Sequence, residues 1–167
     1  MPPQPPVLHS FAYGLDYLRE QVADVSADGM VTQPAHLPNH AAWTLGHVGV
    51  TCQMLGEVLG LPAWLPDDWP RRHGSGSRPT ADVRAYDDKA ELLARLDETR
   101  ARITAGVTAL EPARRAAPFP DPAYLDVFPT LDHALTQVLV AHTAQHIGQL
   151  AVWRKASGLP PMTRSFE

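Results

Sequence analysis

Apolar residues near the start of the chain recur at the spacing of a helix. Phe11, Leu15, Leu18, Val22 and Val25 alternate at steps of about four and three, which places them on one face of a first helix. A loop from about Ala27 to Pro38 carries Asp28-Gly29 and two prolines. Asn39 then offers a side-chain cap for a second helix, which runs to about Leu59 and stops at Gly60 and Pro62. Its inward stripe reads Trp43, His47, Val50, Met54 and Val58, so a histidine lies within an apolar face.

Between Gly60 and Thr80, repeated prolines, a Gly-Ser-Gly-Ser run and two tryptophans predict a long connection without a regular element. A third helix covers about Asp82 or Asp87 to Leu110, with Leu92, Leu96, Ile103 and Leu110 on one side, and Glu111-Pro112 ends it. After a second Pro-rich connection, Thr130 is a cap with Asp132 in the first turn, where the helix dipole favours negative charge. The fourth helix presents Leu131, Leu135, Val138, His142, His146, Gln149 and Trp153 inward and ends at Gly158 before Pro160.

Strong period-two alternation and internal repeats are absent, so the fold class is all-α. Helices of about twenty residues are about 30 Å long, and a four-helix bundle buries four one-sided stripes economically. The two long links predict crossover connections. A length of 167 residues with 44% hydrophobic content suits a single domain over 1–167, with 1–6 as a Pro-rich arm.

Charge narrows the partners. With 14 basic against 18 acidic side chains the formal charge is -4, which offers no field for a phosphate backbone, so nucleic acid is not expected. A single cysteine, Cys52, excludes an internal disulfide and points to the reducing cytoplasm. Neither a signal peptide nor a membrane span is expected from the apolar runs.

The chemistry lies in the histidines. His142 and His146, four apart on one helix, project from the same face and are placed to share a metal ion. Imidazole suits zinc, nickel, copper and iron, and facing bundle helices are a place to assemble such ligands. His47, on an inward stripe, is the third candidate, since an unpaired buried imidazole loses hydration without compensation. Two hydrogen-bonded imidazoles on a helix face, beside a satisfied core histidine, are the alternative at this point. His40, two turns before His47, is too far to share an ion and is a candidate for lining an opening. His133 faces away from the pair, and His9, His36 and His73 fall in arm or loop segments where exposure is expected. Cys52, about 140° around the helix from His47, reads as a packing residue. Trp64, Trp69, Phe119, Tyr124 and Phe128 in the connections are expected to cover a pocket mouth, an oligomer contact or the bundle ends.

The segments Ala42-Trp43-Thr44-Leu45-Gly46-His47 and His142-Thr143-Ala144-Gln145-His146-Ile147-Gly148-Gln149-Leu150 resemble the DinB-like and YfiT-like superfamily of metal-dependent proteins, over nearly the whole chain. The resemblance implies a four-helix bundle in up-down-down-up order, with His47, His142 and His146 as ligands of one divalent transition metal. Zinc and nickel come first, with iron and manganese as further choices. It also implies a role for Gln149 behind the ligands, beside Trp43 and His40 as pocket candidates, while Gly148 would admit a neighbouring helix closely. Three neutral imidazoles leave the ion's charge uncompensated, so water or an anion should complete its surroundings.

Two reactions suit such an ion, hydrolysis by activated water and attack by a bound low-molecular-weight thiol on an electrophile. Superfamily members that use bacillithiol or mycothiol favour the second. Position 143 is Thr, so the Glu of an HExxH arrangement is missing and peptidase chemistry is disfavoured. Asp16, Glu20 and Glu57 read as surface carboxylates. The expectation is thiol transfer to a small-molecule substrate by a cytoplasmic homodimer, with a metal-dependent hydrolase or a non-catalytic metal-stabilised stress-response module as the alternatives.

Overall fold

Proline at the first helical position is preset for helical φ, and Pro6 opens α1, Pro6–Gln21, in the computed structural model, which describes residues 5–162. All five residues of the predicted stripe, Phe11, Leu15, Leu18, Val22 and Val25, are buried. The second helix, α2, spans Ala41–Val58, and its cap is His40 instead of Asn39: the His40 Nδ1 accepts from the Trp43 amide. Asn39 turns its side-chain amide toward Gln149 Oε1 at 3.3 Å. Gly60, at φ 85°, ends α2, with its amide donating to Glu57 O and the Leu61 amide to Gly56 O.

Helix α2 is buried nearly all round from Ala41 to Val50. Met54, placed inward by the periodicity, is instead 61% exposed, because α2 is enclosed by neighbours on the faces that carry Cys52, Gln53 and Leu55. The stretch predicted to lack regular structure contains a short helix, α3, Trp69–His73. Gln53 explains how that connection is fixed, since its Oε1 accepts from the amides of Trp64 and Leu65 at 2.9 and 2.8 Å. Trp64 and Trp69 are buried against the helices, as is Phe119 in the later connection, while Tyr124 stays 48% exposed.

The third predicted helix is α4, Lys89–Thr108, capped by Asp88, whose carboxylate accepts from the Glu91 amide. It starts after both Asp82 and Asp87; Asp82 caps a separate short turn at Val83–Ala85. Leu92, Leu96, Thr99, Ile103 and Val107 form its buried side, and Leu110 lies beyond its end. Another short helix, α5, Pro112–Ala116, precedes the last segment. Thr130 occupies the next cap position, but its hydroxyl pairs with His133 Nδ1 instead of a helix amide.

The fourth predicted helix is α6, Leu131–Thr136, a π turn at Gln137–His142, and α7, Thr143–Ala156, in unbroken succession. The π turn accommodates one more residue than regular helical phase, while Leu131, Leu135, His146 and Trp153 on either side of it keep the predicted face. Leu139 and Leu150 are buried where the regular pattern gave Val138 and Gln149. His146 remains inside and His142 comes to its edge, half-buried. Gly148 faces open space and admits no close helix.

Around the core, α1 packs on α4 and α7, and α2 packs on α4 and α7. Arg154, 1% exposed, ties the end of α7 to α1 by donating to Gln21 O and to the Asp24 carboxylate. Among the described residues there is no strand, only an isolated bridge between Pro118 and Thr130. Among the described residues no helix is long and apolar enough to cross a membrane.

Two glycines of α2 make opposite predictions. A Cβ on Gly46 would lie 2.1–2.4 Å from the buried His73 ring, whereas one on Gly49 would make an ordinary 3.5 Å contact with Trp69. Gly46→Ala is expected to lower stability by about 1–3 kcal/mol through overpacking. Gly49→Ala should hold or raise stability by up to about 1 kcal/mol through helix propensity. Urea denaturation of both variants checks this; equal midpoints would contradict the packing assigned to His73.

Candidate metal centre

His47 enters the site from the middle of α2, and His142 and His146 from the junction of the π turn with α7. Their Nε2 atoms converge: His142 Nε2 stands 3.2 Å from His47 Nε2 and 3.1 Å from His146 Nε2. Nitrogens sharing one ion at about 2.0–2.1 Å are about 2.9–3.4 Å apart for angles between octahedral and tetrahedral. The observed spacing falls in that interval.

Proton bookkeeping supports the same assignment. His47 Nδ1 lies 2.7 Å from the carbonyl oxygen of His73, an acceptor only, so His47 must donate from Nδ1 and present a lone pair at Nε2. A proton on His142 Nε2 can point at only one of its two neighbours, which leaves the other ring nitrogen without a hydrogen bond inside the cluster. Behind the cluster, His142 Nδ1 and His146 Nδ1 are buried without a hydrogen-bond partner. Three convergent imidazole nitrogens, one of them with its lone pair fixed inward, are a donor set that suits a cation. Among the described residues no carboxylate or thiol joins them.

The predicted companions divide. Trp43 lies flat against His47, with ring centroids 4.5 Å apart and planes 11° from parallel. Gln149 is close enough to raise the proton affinity of His146 slightly, yet it makes no hydrogen bond to His146 Nδ1, and its Oε1 accepts from Asn39. Gln149 also lines an apolar cleft of about 370 Å³ with Leu37, Pro38, Asn39, Gly148 and Val152. His40 lines no opening: it is fully buried, with Nδ1 capping α2 and Nε2 3.0 Å from Thr80 O. His73, expected to be exposed, is also fully buried, wedged against Gly46 and beside Trp69 and Tyr86.

The contribution of His73 through its main-chain carbonyl was missed because loop position suggested solvent. A glycine directly before His47 was the available signal, since an isolated glycine inside a helix marks close approach by another group. His9, His36 and His133 are exposed, as their positions imply. Cys52 is a buried packing residue whose thiol is pushed up to about 12 by desolvation, far from thiolate formation.

A family model described as the DinB superfamily matches residues 11–150, well over half of the chain and inclusive of all three converging histidines. A search among curated proteins returns no match.

Burial holds these imidazoles neutral. Desolvation, the largest cause in each case, lowers His40, His73 and His142 to about 4 and His146 to about 3, and moves His47 in the same direction. In the unfolded chain each returns to its ordinary value of 6.5, so between these limits the unfolded state binds more protons. Stability of the metal-free protein is therefore expected to be full above pH 6.5 and to fall as pH drops toward about 4. Urea midpoints across that range check the sign; midpoints that rise on acidification would contradict the buried, neutral state.

Proposed function

The chain belongs to the DinB superfamily, and on that premise we propose that it is a divalent-metal enzyme of thiol transfer to small electrophiles. The carrying observation is the convergence of three imidazole Nε2 nitrogens, with the lone pair of His47 turned inward by the main chain behind it. His47, His142 and His146 would hold one ion, with zinc and nickel first and iron or manganese as further choices. An ion held there would supply a Lewis acid that lowers the proton affinity of a thiol or of water.

The residues around the site favour thiol over water. Attack by water calls for a base to take its proton, and no carboxylate shares the cluster among the described residues. Asp16 is engaged by Arg100, and Glu57 is exposed, ten residues along α2 from His47. A thiol, with an ordinary pKa of about 8.5, needs less assistance to become the nucleophile. Bacillithiol- or mycothiol-type cosubstrates fit this requirement.

His47, His142 and His146 contribute lone pairs at neutral pH, and the indole face of Trp43 keeps water from one side of His47. The cleft beside Gln149, one helical turn beyond His146, has the apolar lining to take the body of an electrophile. The same reading includes the up-down-down-up helix order, a reducing cytoplasmic setting in a stress response, and a homodimer.

Zinc- or nickel-loaded protein, given bacillithiol or mycothiol and a panel of small electrophiles, is expected to consume thiol. His142→Ala should lower the rate by at least about a hundredfold, since loss of a ligand exceeds the effect of losing its supporting partner. Turnover with water alone would replace this reading with a metal-dependent hydrolase. Metal-dependent stability without any turnover would replace it with a non-catalytic module.

A further inference from the structure

Three ring nitrogens, from the cap of α2 and its first two turns, hold the last residue of α3 and the segment that follows it. His40 Nε2 lies 3.0 Å from Thr80 O, Trp43 Nε1 donates to Ser77 Oγ at 2.7 Å, and His47 Nδ1 donates to His73 O at 2.7 Å. As the helix advances from 40 to 43 to 47, the bonded segment retreats from 80 to 77 to 73, so the two run antiparallel in register. Nδ1 of His40 accepts from the Trp43 amide, so its Nε2 carries the proton that Thr80 O accepts. All three contacts are therefore N–H donations from α2 to the segment.

We propose that residues 73–80 form a strap that positions His47 for metal binding, and that ion binding and strap docking stabilise each other. The inference rests on the metal reading above and adds the device that prepares one ligand. His47 is the last rung, and it is the only one of the three converging histidines whose rear nitrogen is held by the protein. A cation uses the His47 lone pair at Nε2 and so requires the proton at Nδ1, which is the form that donates to His73 O. Each event selects the tautomer that the other needs. By linkage, whatever the strap adds to ion affinity the ion adds to strap docking.

The strap is built to sit closely. The His73 ring fills the space left by Gly46, and a Cβ on Gly74 would lie 2.3 Å from the Pro70 carbonyl oxygen. Its own amides are bonded within the segment or nearby: Gly74 to Pro70 O, Ser77 to Gly74 O and Thr80 to Tyr86 Oη. Exchange of those amides reports how firmly the segment holds its shape, which docking on α2 supports.

Hydrogen–deuterium exchange over 73–80 and titration with zinc alone test the proposal in the full chain. Zinc is expected to slow exchange of the Gly74, Ser77 and Thr80 amides. Ser77→Ala, which removes the middle acceptor without touching a histidine, should weaken zinc binding about three- to tenfold, the loss typical of one hydrogen bond. Ser77→Thr should restore it. Thr99→Val breaks a similar indole-to-hydroxyl bond, from Trp64, on α4, and should leave zinc affinity unchanged. Strap exchange indifferent to zinc, wild-type affinity in Ser77→Ala, or equal weakening in Thr99→Val would each overturn the coupling while leaving the metal site intact. A wild-type protein that binds no zinc or nickel would instead remove the metal reading, and this inference with it.

Discussion

The hydrogen bond from His47 Nδ1 to the carbonyl of His73 fixes which way the first of the three histidines presents its lone pair. Without it His47 would choose its tautomer freely, and the cluster would be open to several hydrogen-bonded arrangements. With it, the Nε2 lone pair of His47 is committed to the space it shares with His142 and His146. Burial reinforces the commitment, since desolvation disfavours the charged imidazolium throughout the group. Neutral and convergent, the rings present a donor set that could hold a divalent cation.

That bond depends on packing some distance from the histidines. The His73 carbonyl is where it is because the His73 ring occupies the notch at Gly46 and α3 is pinned from the other side. Trp69 Nε1 donates to Asp87, and Arg72 pairs with the same carboxylate, which fastens α3 to the approach of α4. Gln53, through two main-chain amides, fixes the segment that leads into α3. The long connection thus acts as part of the site's scaffold instead of a passive link, and its tryptophans supply core more than surface.

Much of the fold was legible because its signals are local. The α1 stripe, the Gly60 and Gly158 stops and the burial of Leu92, Leu96 and Ile103 follow from spacing and cap chemistry. The histidine triad was legible too, since two imidazoles four apart and a third on another inward face imply a meeting place. What escaped depends on tertiary context. A π turn leaves no clear mark in apolar spacing, so the burial of Leu139 within it in place of Val138 was hidden, and at Gln149 and Leu150 a step of three or four from His146 is equally regular. Met54, His40 and the loop histidine His73 were misplaced for a related reason: a helix enclosed on several sides has no single inward stripe and no opening at its cap, and a loop packed over it is not solvent.

The most direct test is a crystal structure of zinc-loaded protein with anomalous differences collected at the zinc edge. The account predicts one strong peak within bonding distance of Nε2 of His47, His142 and His146, with His47 Nδ1 still against the His73 carbonyl. A map with no peak between those rings, or with the ion bound elsewhere on the chain, would contradict it.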